Sequence, residues 1–438
     1  MKPAAKLLVL LTTLFLTSCT LADNSSDASS SFTLSTETTH EQTVSQTTDA
    51  PTESSSTTHT TEPVMLPPVE TEPPNTDYEP AFAGQTRVAG VATTTPYEAK
   101  ILTAELTSPW AVAVLPDGRL VVTEKSGNIR IVESSGELSQ PIGGFPPVDD
   151  RSQGGLLDVI LSPDYNDSRL LYFTLAEKTA EGSLTAVARG RLSDDESIVE
   201  AVEIIWRAIP YYDNSMHFGS RLVFDQAGNL FVTTGERSDL ATRPFAQYLD
   251  NAYGKVVHIT ADGEPVADNP FINQDDALPE IYSFGHRNVQ GIAIHPLSGD
   301  VFISEMGPRG GDELNLIQAG KNYGWPIISY GIEYSGQPIS GGLTVKEGME
   351  QPVYYWDPVL APSGMTFYPY DKIPEWENSL FIAGLRAQHI ARLVIDDNRV
   401  IAEERLLLDE TQRFRDVAAS HDGYLYAITD QGRLYRIG

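Results

Sequence analysis

One cysteine, Cys19, is all the thiol chemistry the sequence contains. An intramolecular disulfide is therefore impossible, and paired-cysteine metal sites are excluded. Basic residues are scarce too: 30 Lys and Arg stand against 60 Asp and Glu, for a formal net charge of -30. A surface of that sign repels phosphate backbones and anionic headgroups, which argues against nucleic acid as a partner. A small neutral substrate is indifferent to such a field, whereas an anionic cofactor requires a local cluster of Arg or Lys. Long hydrophobic runs are missing as well. The apolar run at residues 7–16 is too short to span a bilayer as a mature helix.

That run follows Lys2 and Lys6 and has the shape of a secretory signal. It ends Leu16-Thr17-Ser18-Cys19, which resembles a bacterial lipobox, where cleavage before the cysteine precedes lipidation of its thiol. An ordinary signal with an incidental cysteine is the alternative, weakened because the only cysteine falls at that position. The expectation is a signal peptide over 1–18 and a lipidated Cys19, placing the protein outside the cytoplasm on a membrane. Thr20 rather than Asp follows, which in a two-membrane bacterium points to the outer membrane. From Thr20 to about Thr95 Ser, Thr, Glu and Pro dominate and large apolar residues are nearly absent. Such a stretch buries too little surface to offset its ordering entropy, so 19–95 is expected to be a disordered tether.

From 96 to 438 the character changes. An apolar strand, a Pro/Asp/Gly turn and a second apolar strand recur six times. The copies begin near Trp110, Gly155, Ser220, Gln290, Gly364 and Arg415. Six copies of one hairpin predict an all-β, six-bladed β-propeller. A β-sandwich would not repeat one hairpin signature in this way. In a propeller one end of every blade meets around a shared axis, so functional residues should recur once per blade at matching places.

The densest local signal lies at 304–326, where glycines and Pro308 force irregular backbone beside Asp312 and Glu313. Carbonyl and carboxylate oxygens are the ligands calcium prefers, although a solvated acidic loop has the same composition. Three further segments are Gln153-Gly-Gly-Leu-Leu-Asp-Val, His217-Phe-Gly-Ser-Arg-Leu-Val-Phe and Gly285-His-Arg-Asn-Val-Gln-Gly. Weaker echoes follow at Pro362-Ser-Gly-Met and Arg413-Phe-Arg-Asp-Val. Together these resemble the soluble aldose dehydrogenases that use pyrroloquinoline quinone (PQQ), the glucose/sorbosone dehydrogenase family. The likeness covers the whole predicted propeller and none of the tether.

The resemblance implies a role for each matched residue. His217 would be the general base, since an imidazole titrating near neutrality suits removal of a hydroxyl proton as hydride leaves the same carbon. Glu236 would orient that imidazole. Arg287 and Asn288 would contact the quinone, and Gln153 would hydrogen-bond to the cofactor. Arg413 and Arg415 alternate along a strand and so share a face on which PQQ carboxylates could be met. Arg386 would add a cation, and Tyr334 would stack on the cofactor plane. Carbonyls of Gly307 and Pro308 would hold one calcium against the quinone, and Glu313 with Tyr323 would hold a second. Outside this context, His217 reads as a structural histidine, Tyr334 as a packed loop residue and the arginines as surface ion pairs. Two positions depart from the family pattern: Val289 replaces a common Pro, and Met306 a common polar residue.

The leading expectation is thus a PQQ- and calcium-dependent enzyme oxidising an aldose at C1 to a lactone, with an unidentified electron acceptor. A non-catalytic carbohydrate- or protein-binding propeller, or a calcium-dependent propeller lactonase, are the alternatives. A lactonase would leave the anion-binding arginines without purpose.

Overall fold

Why the hairpin repeats is visible in its turns. In the first copy Leu115 donates its N–H to the Arg119 carbonyl at 2.8 Å, while Gly118 donates back to Leu115 at 2.9 Å. Gly118 sits at φ 86, in the left-handed region where a Cβ is disfavoured. Asp225, Asn229 and Gly228 repeat the arrangement at 2.8 and 3.1 Å, with Gly228 at φ 83. This is the three-residue hairpin turn that an Asp-Gly or Ala-Gly tip supports between two twisted strands.

The computed structural model describes residues 65–438. They form six sheets, antiparallel but for one short edge strand. The innermost strands are Pro109–Val114, Leu156–Leu161, Leu222–Phe224, Val289–Ile294, Pro362–Phe367 and Phe414–Ala419. Each lies against the innermost strands of the two blades beside it, which closes the ring. This is the expected six-bladed propeller, one blade per hairpin copy. The last blade is completed by Ala99–Thr103, which pairs antiparallel with Leu434–Ile437 and ties the start of the ring to its end.

Strands in a propeller are buried on both faces, so they need not alternate apolar with polar. In the first blade Val121 packs towards the second blade, in a cluster with Leu156 and Phe173. Its neighbours Leu120 and Val122 pack towards the sixth blade, with Ile428 and Leu434. Six such clusters, one between each pair of adjacent blades, make up the main core.

The tether expectation needs correction over 65–95. Ala89–Gly90 pairs in parallel with Ala402 and Glu403 of the fifth blade. Gln85 is fully buried, and Val88 joins the core between the fourth and fifth blades. Composition misled because it counts only apolar burial, whereas this stretch is held largely by polar contacts. Asn75 and Thr76 together make four hydrogen bonds to the Asp357 carboxylate. The signal peptide, Cys19 and the tether up to residue 64 lie outside the described residues. Among the described residues no helix is long and apolar enough to cross a membrane.

Candidate functional site

At one end of the ring a cavity of about 420 Å³ opens between the blades. Two sets of positions reach it. One comes from the start of the innermost strands and the loops leading into them: Trp110, Gln153, Gln290, Ala361, Arg413 and Arg415. The other follows directly on the second strand of a blade: Lys125, Met306, Leu385 and Asp430. The volume is within the roughly 300–1,000 Å³ of small-molecule sites.

The cavity concentrates positive charge that the chain as a whole lacks. Lys125, Arg413 and Arg415 line it with a single acid, Asp430. Arg413 Nε and Arg415 Nε each donate to Asp430 at 2.8 Å. Burial works to raise the Asp430 pKa, but the two guanidiniums overcome it and hold the carboxyl below its ordinary value. Burial and the nearby Arg415 lower the Lys125 pKa, and its ammonium donates to the Ser152 carbonyl. Trp110 also lines the cavity, and its ring centroid lies 4.1 Å from the Arg221 guanidinium. Arg221 is itself fixed between Asp158 and Asp416 at 2.9 and 3.0 Å.

Beside this cavity lies a drier cluster on the third and fourth blades. His217 precedes the third innermost strand, is 4% exposed, and adopts a left-handed φ of 50. Its backbone N–H donates to Gln153 Oε1 at 2.8 Å, tying it to a cavity-lining side chain. Its Nδ1 lies 2.8 Å from Glu236 Oε1. A carboxylate there accepts a hydrogen bond from Nδ1–H, which leaves the Nε2 lone pair free to accept a proton. Burial lowers the His217 pKa to about 4, aided by the Arg287 charge and opposed by Glu236. The imidazole is therefore neutral at pH 7. Glu236 is fixed in turn, donating its N–H to the Arg287 carbonyl at 2.9 Å and accepting from Ser238 N–H at 2.9 Å.

Arg287 bridges to the glycine-rich loop, giving Nη1 to the carbonyls of Met306 and Gly307, both at 2.8 Å. Its Nε is buried and has no partner among the described residues. Asn288 accepts from Gly219 N–H at 3.1 Å and lies 4.0 Å from the Met306 sulfur. Behind this loop a second cavity, of about 10 Å³, is bounded by Glu305, Gly307, Glu313, Tyr323 and Trp325. That is room for one water or ion. The Glu313 carboxyl has one donor among the described residues, Asn315 Nδ2 at 3.1 Å. Burial, with the adjacent Glu305 charge, pushes its pKa well above the usual carboxylate range.

The structure thus gathers His217, Glu236, Arg287, Asn288 and Gln153 into one connected cluster, with Arg413 and Arg415 on the cavity it adjoins. Gly307, Glu313 and Tyr323 meet at the small cavity. Pro308 is buried but lines neither cavity. Tyr334 is 74% exposed and lines neither, so its expected place against a ligand plane is not supported. Arg386 is also exposed and outside both cavities; its neighbour Leu385 takes the cavity position. Asp312, which looked like a second carboxylate ligand beside Glu313, points the other way along its strand. It accepts backbone N–H groups from Gly307, Leu360 and Ala361 at 2.8, 2.8 and 2.7 Å.

Trp110, Lys125, Gln290 and Asp430 were missed from sequence. The signal was present, however. Lys125 and Asp430 each directly follow their blade's second strand, a place that Met306 also holds in the fourth blade. Among the described residues no cluster of three or more His, Cys, Asp or Glu side chains could hold a metal. A site at the small cavity would draw on backbone oxygens as well as on Glu305 and Glu313.

A six-bladed propeller thus carries a cation-lined cavity at one end with a buried His–Glu pair beside it. Residues 106–436 match the Glucose / Sorbosone dehydrogenase family, and the chain belongs to it. It is 43% identical over 343 residues to the aldose sugar dehydrogenase YliI of Escherichia coli K12, covering 77% of this chain and 92% of that protein. The crystal structure of the apo soluble aldose sugar dehydrogenase from E. coli superposes with a TM-score of 0.75 at 42% identity, over 78% of this chain and 99% of that one. A PQQ-bound aldose sugar dehydrogenase from Streptomyces coelicolor gives 0.65 at 29% identity, over 79% and 99%. The chain is thus an oxidoreductase homologous to aldose sugar dehydrogenases.

Proposed function

We propose that this protein oxidises aldose sugars at C1 to lactones, with PQQ and calcium as cofactors and His217 as general base. The observation that carries the reading is the neutral His217, bound to Glu236 beside a cavity lined by three cations. A trianionic planar quinone fits that cavity, where Lys125, Arg413 and Arg415 can meet its carboxylates. A divalent cation fits the small cavity, where the Glu313 and Glu305 carboxylates meet beside the Gly307 backbone and Glu313 has one donor, Asn315, among the described residues. When bound, PQQ supplies the two-electron acceptor and calcium a Lewis acid.

The chain's own contribution is acid–base and positional. His217 Nε2 takes the proton of the C1 hydroxyl as the C1 hydride departs. Glu236 accepts the Nδ1 hydrogen bond throughout, holds the tautomer, and stabilises the imidazolium that forms. Gln153 fixes the His217 backbone, so the imidazole meets the sugar in one orientation. Arg287 lowers the His217 pKa while anchoring the loop that carries Gly307.

Purified apo-protein mixed with PQQ and calcium should reduce a redox dye only when an aldose is added. No reduction with any of a panel of mono- and disaccharides overturns the reading, and lactone hydrolysis without quinone would favour a lactonase. Extracytoplasmic attachment through a lipid on Cys19 belongs to the same reading, supported by the Leu16-Thr17-Ser18-Cys19 sequence. Incorporation of labelled fatty acid that survives Cys19→Ala would remove the anchor.

A further inference from the structure

The segment at 65–91 lies wholly before the stretch matched by the family, which starts at residue 106. It leaves Leu66, which bridges antiparallel to Gly90, loops over the edges of the fourth and fifth blades, and returns. What it touches there is not only propeller edge. Asp357, 5% exposed, receives Asn75 N–H and Nδ2 on Oδ1 at 2.9 and 2.8 Å. Thr76 N–H and Oγ1 donate to its Oδ2 at 3.2 and 3.1 Å. Asn75 Oδ1 then accepts from Arg309 Nε at 3.1 Å.

Arg309 belongs to the glycine-rich loop whose inner side Arg287 grips through the carbonyls of Met306 and Gly307. The outer side of the loop is packed without slack. A Cβ on Gly310 would fall 2.6 Å from Asp357 Oδ1 and 3.2 Å from Asn75 Nδ2. Arg309 exchanges two backbone hydrogen bonds with Ile332, both at 3.1 Å, and Gly311 N–H donates to the Trp356 carbonyl at 2.9 Å. A second arm of the segment reaches the same loop system. Buried Gln85 accepts the Tyr330 hydroxyl at 3.1 Å, and its carbonyl accepts Tyr355 N–H at 2.9 Å.

We propose that the 65–91 segment is a positioning strap for the 306–313 loop, acting through Asn75 and Thr76 on Asp357, and that it thereby sets the calcium affinity of the pocket between Glu305, Gly307 and Glu313. This rests on the calcium reading of that pocket given above. The strap touches no cofactor or substrate position itself. It fixes the outer face of a loop whose inner face carries Gly307 and whose end carries Glu313. Asp357 acts as its anchor, because a buried carboxylate with four donors has few other arrangements to adopt.

The test uses the full chain. Asn75→Ala is compared with Thr94→Ala, which removes a contact to Glu375 in the fifth blade made just beyond the strap and away from the loop. Two quantities are read: hydrogen exchange of the 305–313 segment in calcium-free protein, and calcium affinity of the apo-protein by calorimetry. Asn75→Ala should speed exchange of that segment and weaken calcium binding about 10–100-fold, as loss of a supporting contact behind metal ligands does. Thr94→Ala should change neither. Exchange unchanged in Asn75→Ala, or faster exchange with unaltered calcium affinity, overturns the proposal. Unmodified protein that takes up no calcium overturns the metal reading instead, and the strap's link to affinity falls with it.

Discussion

The two halves of the site differ in how much water they admit, and that difference separates holding a ligand from acting on it. On the sixth and first blades, Arg413, Arg415, Lys125 and Asp430 line an open cavity; the Arg413 side chain is 42% exposed. Their charges are partly screened, and they can rearrange around an incoming anion. On the third and fourth blades, His217, Glu236 and Arg287 are 4%, 2% and 6% exposed. There each hydrogen bond is fixed in advance, and burial decides the protonation of His217. The wet half suits capture of a polyanion, and the dry half suits proton transfer, where preorganised groups need no reorganisation.

If that division is right, the largest effect belongs to the dry half. His217→Ala should lower kcat by about 10²–10⁴-fold, the usual worth of a positioned base, while PQQ binding followed by absorbance stays near its original affinity. Glu236→Gln should lower kcat less, with KM for the sugar little changed. A fall in PQQ affinity to match the fall in kcat would erase the distinction between the halves.

The next effect concerns pH. His217, lowered from 6.5 to about 4, is the free base above that value. Its acid limb in kcat/KM should therefore appear near pH 4, with activity lost as pH falls through it. The same shift means the unfolded chain takes up this proton first, so its contribution to stability is lost as pH drops from about 6.5 towards 4. Arg287→Met removes a positive neighbour and should move the His217 titration in apo-protein upward, as read by NMR. A limb at the ordinary imidazole value would mean that the cluster is wetter than its burial indicates.

Smaller again is the wet half. Arg415→Ala should weaken PQQ reconstitution roughly tenfold, at the low end of the 1.5–3 kcal/mol of hydrogen bonds to charged groups, with kcat at saturating PQQ preserved. Smallest of all, Arg386→Ala and Tyr334→Ala should shift stability by no more than about 0.5 kcal/mol, as exposed positions do, and leave reconstitution unchanged. A large loss at either would restore the role their sequence context implied.

Much of this was legible in the chain. The Asp-Gly and Ala-Gly tips, with apolar runs on both sides, determine the hairpins, because turn chemistry and strand burial are local properties. Six copies then determine six blades. The motifs that resemble the family pointed to His217, Gln153, Arg287 and Asn288, which the fold brings into one cluster. Strand alternation placed Arg413 and Arg415 on one face, which Asp430 then joins. The same alternation, overlooked within Asp312–Leu316, sends Asp312 to backbone N–H groups and Glu313 to the cavity.

Three matters were settled only by the tertiary structure. Lys125 and Asp430 are 305 positions apart and meet at one cavity only because the ring closes, which no local pattern records. The protonation of His217 follows from burial and from Arg287, neither of which has a signature in a linear chain. Residues 65–95 look like tether when judged by apolar content, yet they fold onto the propeller. Their stability comes from partners such as Asp357, 282 positions from Asn75. Sequence determines what each short segment prefers; which distant groups then neutralise, dry or brace one another depends on where the ring brings them.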